Sequence, residues 1–79
     1  MDKDQQEIKK ILEQQLQWCK EQDRILEEID SKLHEMKRLA GYALEHDLGS
    51  VEVEELNDKL NELKNDVHSL EKKLRAVVH

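Results

Sequence analysis

From Val53 onward the apolar residues are Val53, Leu56, Leu60, Leu63, Val67, Leu70, Leu74 and Val77, alternating steps of three and four without a break. That alternation holds one stripe on one side of a helix and predicts a coiled-coil helix over about residues 51–78. Val53, Leu60, Val67 and Leu74 take the heptad a positions, and Leu56, Leu63, Leu70 and Val77 the d positions. Ser50 precedes the stripe as an N-cap, its hydroxyl placed to accept from the free amides of the first turn. Glu52, Glu54 and Glu55 complement the positive end of the helix dipole, and Lys72, Lys73 and Arg75 the negative end.

The first half is also helical in pattern, but its apolar face is three columns wide. One column runs Ile8, Gln15, Gln22, Ile29, Met36, Ala43; a second Ile11, Trp18, Ile25, Lys32, Leu39; a third Leu12, Cys19, Leu26, Leu33, Ala40. A face of that width can touch two neighbouring helices. Asp4 and Glu7 form a capping arrangement near the start, and the helix is expected over about residues 4–47. Both glycines lie in the stretch 39–50, which must hold the turn. The favoured reading carries the helix through Gly41 and gives Gly49 the left-handed C-cap conformation; a stop at Gly41 is the alternative.

A turn at about 48–50 folds the chain into one all-α unit over 1–79, a long antiparallel helical hairpin. Its arms are unequal. At about 1.5 Å per residue the first is roughly 65 Å long and the second roughly 42 Å. Pairing outward from the turn sets Leu44 near Val53, Met36 near Leu60 and Leu63, Ile29 near Val67 and Leu70, and Cys19 near Val77. The expected hairpin core is Leu26, Ile29, Leu33 and Met36 against Val53, Leu56, Leu60, Leu63, Val67, Leu70 and Leu74. Residues 4–18 overhang, and Ile8, Ile11, Leu12, Leu16, Trp18 and Cys19 form an apolar cluster there. Clusters of this kind mark interfaces, and a symmetric homo-oligomer is the commonest way to cover one; the alternative is a monomer whose overhang a different protein covers. A helical bundle formed by self-association is therefore expected, as a homodimer or tetramer.

Flanking charges disfavour a parallel zipper built on the second stripe, because Lys59 would meet Lys64 and Asp66 would meet Glu71. Nor does a basic region of the bZIP kind precede it, since residues 37–52 hold only Lys37 and Arg38 as bases.

Composition narrows the function classes. The chain has 79 residues, 41% charged and 37% hydrophobic, with one Trp, one Tyr and no Phe or Pro. So short a chain is poorly placed to enclose a small-molecule substrate. The formal charge of −6, from 19 acidic against 13 basic residues, argues against nucleic acid as a partner, which needs cations for its phosphates. No apolar run approaches the roughly 18 residues that cross a bilayer, so no membrane partner is expected, and the polar amino end points to the cytoplasm. The single cysteine excludes an intrachain disulfide.

Individual residues add little chemistry. Cys19 reads as a small apolar residue of the face, and Trp18 as an interface anchor. His34 and His68 stand where they could approach across the hairpin, but no ligand set of metal-binding spacing adjoins them. Gln15 and Gln22 occupy an apolar column, where polar residues either set register or mark a stretch that faces water. No phosphate loop, nucleophilic constellation or paired carboxylates can be picked out, and neither cofactor nor metal is expected.

Two resemblances overlap at residues 36–70. Met36, Leu39, Ala40, Ala43, Leu56, Leu60, Leu63, Val67 and Leu70 resemble the helix-turn-helix stretch of the inner flagellin domain. That resemblance implies a helical assembly segment; the family's Asn-Gly-Thr turn and N-terminal assembly segment are not in these 79 residues, and filament formation is not carried over. Residues 48–63, Leu-Gly-Ser-Val-Glu-Val-Glu-Glu-Leu-Asn-Asp-Lys-Leu-Asn-Glu-Leu, resemble the second helix of small bacterial hairpins that dephosphorylate sporulation response regulators. That resemblance implies a regulator or phosphatase acting on a response regulator. The family's Ser-Gln-Glu-Leu-Asp falls on residues 57–61, where Leu60 alone matches and Asn61 replaces the acid. The residues themselves favour a non-catalytic coiled-coil module for protein–protein interaction, an adaptor, inhibitor or assembly subunit that binds itself and another protein.

Overall fold

The computed structural model describes residues 2–78, with side chains through Leu74. Two helices make up the fold, α1 over Asp2–Glu45 and α2 over Ser50–Val78, with no strand among the described residues. They lie against each other as an antiparallel hairpin, a rod of 71 × 19 × 12 Å. Its length is set by α1, whose 44 residues span about 66 Å at the helical rise.

The chain reverses over residues 46–49. α1 runs through Gly41 as expected and ends at Glu45, two residues short of the expected boundary, although the His46 amide still donates to the Tyr42 carbonyl at 3.1 Å. The same carbonyl accepts from His46 Nδ1 at 2.9 Å, and the two rings stack with centroids 4.0 Å apart. Because a carbonyl only accepts, Nδ1 carries a proton here. The side chain thereby satisfies a helix-end carbonyl that would otherwise face water.

Gly49 does not take the expected left-handed conformation; among the described residues no glycine has a positive φ. Its carbonyl accepts from the Val53 amide at 3.0 Å, so Gly49 is the N-cap of α2 and Ser50, expected in that role, is the first helical residue. Glycine serves at an N-cap at little cost. Glu52 stands in the first turn of α2, as the dipole favours. The Arg75 side chain and the expected approach of Val77 to Cys19 lie outside the described side chains.

The core is thin. Among the described side chains Ile25 on α1 and Leu63, Val67 and Leu70 on α2 are its buried apolar residues, with Ile29, Met36, Leu39, Leu56, Leu60 and Leu74 half-buried. On α1 these positions belong to the first and second columns, a and d of a heptad frame. Lys32, at d, sends its ammonium sideways to Asp66, Nζ to Oδ2 3.4 Å, while its stem lies along the seam.

The third column, at e, lies on the outer flank. Leu26 and Leu33, expected in the core, are each 49% exposed, because α2 presents a stripe two columns wide and a and d of α1 fill it. Val53, also expected in the core, is half exposed because α1 ends where it would find a facing residue. Leu44, expected beside it, is 89% exposed on the outer side of α1.

Candidate interaction surface

The Lys32–Asp66 pair marks the register of the two helices. Grooves shared by Glu28 with Ser69 and Leu70, and by Leu39 and Tyr42 with Leu56 and Lys59, agree with it. Continued down the rod, this register brings the end of α2 level with about residue 20 of α1. About 18 residues of α1, some 27 Å of helix, extend beyond it.

Nothing in the sequence interrupts α1 over this overhang. It holds neither Gly nor Pro, and Asp2 and Asp4 in the first turn complement the helix dipole. The apolar side chains fall in two groups. Ile8, Ile11 and Trp18 continue the a/d seam that α2 covers further along, with Gln15 among them. Leu12, Leu16 and Cys19 lie on the flank and run on into Leu26 and Leu33. The five large side chains of the overhang are 39–59% exposed, Trp18 least, and Cys19 is a free, exposed thiol. Around them stand charges of both signs, Glu7, Lys9, Lys10, Glu13, Lys20 and Glu21.

The rest of the molecule offers little for chemistry. At the turn end an open groove of about 360 Å³ is lined by Arg38, Tyr42, Leu48, Glu52 and Lys59 among others, with no excess of one charge. Beside it Arg38 holds Glu35 through a two-pronged ion pair, with Nε to Oε2 at 3.2 Å. This hydrogen bonding, with the attraction of the guanidinium, holds the Glu35 carboxyl below its usual value and raises Arg38. His34 and His68 do not meet across the hairpin. His34 Nδ1 donates to the Asp30 carbonyl at 2.8 Å, and His68 lies 3.9 Å from Glu71 on its own helix. Among the described residues no three His, Cys, Asp or Glu side chains converge as a metal site. No described helix is long and apolar enough to cross a membrane.

Two seam residues stand outside the expected core and matter. Ile25 is buried in place of Leu26. Gln22 is 7% exposed, and its Nε2 and Oε1 are both shut off from water with no hydrogen-bond partner. Of its two open readings, the one that has Gln22 facing water is thereby overturned. No protein-family model, curated protein or solved structure matches the chain.

Proposed function

We propose that this chain is a non-catalytic coiled-coil interaction module that acts as a homo-oligomer and offers helical surface to a further protein. One observation carries the reading: α1 outruns α2 by about five turns, and Ile8, Ile11 and Trp18 continue its seam there with Gln15 among them. Energetics supports it. With four buried apolar side chains among the described residues the hairpin has little core of its own, and small scaffolds of this kind commonly gain stability by association. The large apolar residue types in the overhang agree, since aliphatic side chains and an indole are the kind that bury area at interfaces.

Light scattering over a concentration series, with Trp18 fluorescence read on the same samples, tests this. A dimer or tetramer with blue-shifted Trp18 emission is expected. Ile8→Ala combined with Ile11→Ala should weaken association by at least about 1,000-fold, since each truncation of a side chain buried in the interface costs about 2–5 kcal/mol. Association left undiminished in that variant removes the overhang from the interface, and a wild-type chain that stays monomeric at all concentrations overturns the homo-oligomer.

A further inference from the structure

Resting on the self-association just described, we propose that the overhang is covered by the overhang of a second copy running antiparallel to it, in one register that sets Ile8 of each chain against Ile11 of the other. The first argument is steric. Down to about residue 20 the a/d seam of α1 is occupied by α2. A parallel second α1 lying on residues 2–19 would continue, as an unbroken 44-residue helix, into the space that α2 fills. An antiparallel one runs the other way and leaves that space clear.

The second argument is register. In an antiparallel seam a residues face d residues, as they do between α1 and α2, so allowed alignments differ by seven residues. Two of them overlap the overhangs substantially. The deeper one sets Ile8 against Trp18 but Ile11 against Gln15, and it drives the second copy's first turn into the last turn of α2. The shallower one sets Ile8 against Ile11 and Gln15 against Asp4, apolar on apolar and polar on polar. It also leaves about three residues, roughly 4–5 Å, between the second copy's first turn and the end of α2. On its flanks Gln5 faces Leu12 and Glu7 faces Gln14, so no like charges meet. Two hairpins then form a single rod two helices thick, continuous with the seam inside each chain.

The native Cys19 is the sole thiol and lies on the exposed flank, so a nitroxide there reads the alignment in the full-length chain by pulsed dipolar spectroscopy. In the proposed register the two Cys19 residues are 19 positions apart along the axis, about 28 Å, and about 8–10 Å across, giving roughly 30 Å. The deeper register gives roughly 20 Å, and an in-register parallel pair roughly 10 Å. X-ray scattering on the unlabelled protein gives a second reading free of any effect of the label. Two 71 Å rods sharing about 24 Å make a particle about 120 Å long, whereas a side-by-side bundle stays near the length of one chain. A 30 Å separation with a 120 Å particle is the expected result. A dimer with a separation of roughly 20 Å overturns the register, and one with roughly 10 Å, or near 71 Å in length, overturns the antiparallel pairing itself; each leaves self-association standing. A particle that stays monomeric overturns both.

Discussion

Replacing Gln22 by Leu should stabilise the hairpin. The side chain sits at an a position on the seam, 7% exposed, with both amide atoms shut off from water and unpartnered. Mutational data put the cost of burying an amide in this state at about 1–3 kcal/mol. Leu at the same place removes that cost and adds apolar burial, about 1.5–3 kcal/mol if complete. Gln22 lies level with the last turn of α2, at the edge of the contact, so the lower end of each range applies and the net gain is about 2.5 kcal/mol. In a domain of this size that raises Tm by about 4–8 °C for each kcal/mol. Thermal and urea unfolding followed by circular dichroism would measure it, at one protein concentration because association couples to stability. The urea slope should not change, since the surface exposed on unfolding is nearly the same. Gln17→Leu, on the exposed side of α1, serves as the control and should stay within about 0.5 kcal/mol. A loss of stability in Gln22→Leu would refute the reasoning, because it would mean that the amide is paired and supports the seam.

Three further substitutions probe separate features. Gly41→Ala should raise stability by up to about 1 kcal/mol, because a Cβ there meets nothing within 4 Å inside a continuous helix; no gain in the same unfolding assays would place a break at Gly41. Leu63→Ala should cost about 2–4 kcal/mol and Leu33→Ala less than about 1, since one is buried and the other on the flank; equal costs would put Leu33 in the core. Glu35 has its carboxyl lowered from the usual 4.5 by the hydrogen bond from Arg38, so its stabilising contribution is present above that value and lost as pH falls through the lower one. Glu35→Gln should therefore show a shallower loss of urea midpoint on acidification, and an unaltered acid limb would mean that the pair contributes nothing.

The helices were legible from the leucine and valine spacing, and the hairpin from the two glycines between them. Which face of α1 meets α2 was not, and the reason is geometrical. The first column combines with either the second or the third to give alternating steps of three and four. With the third it yields Leu26, Ile29, Leu33 and Met36, the more apolar seam. The structure uses the second instead, which places Lys32 between Ile29 and Met36. Two interactions across the helices favour that choice. Near the turn Leu39 fills space that Ala40 would leave empty, and at mid-rod the Lys32 ammonium reaches Asp66 at 3.4 Å. A count of apolar residues along one helix registers neither, because both depend on what α2 presents at the same level. The turn is ambiguous in the sequence for a related reason: Gly49 can close α1 or open α2, and the Val53 amide, bonded to its carbonyl, decides for α2.

The choice of seam also bears on association. Had α2 packed on the third column, the overhang residues in line with it would be Leu12 and Cys19, and Ile11 and Trp18 would stand to one side. With the second column selected, Ile8 and Ile11 lie on the line of the seam beyond the end of α2, and Leu12, Leu16 and Cys19 form a flank continuous with Leu26 and Leu33. Lys32 and Gln22 make the seam inside the chain polar at two of its seven α1 positions, which weakens the hairpin where α2 approaches its end. The isoleucines at Ile8 and Ile11 carry no such polar interruption between them. In the proposed pairing the apolar centre of the contact therefore lies between chains, next to the weaker end of the contact within each, and covering the overhang adds burial where the isolated hairpin has least.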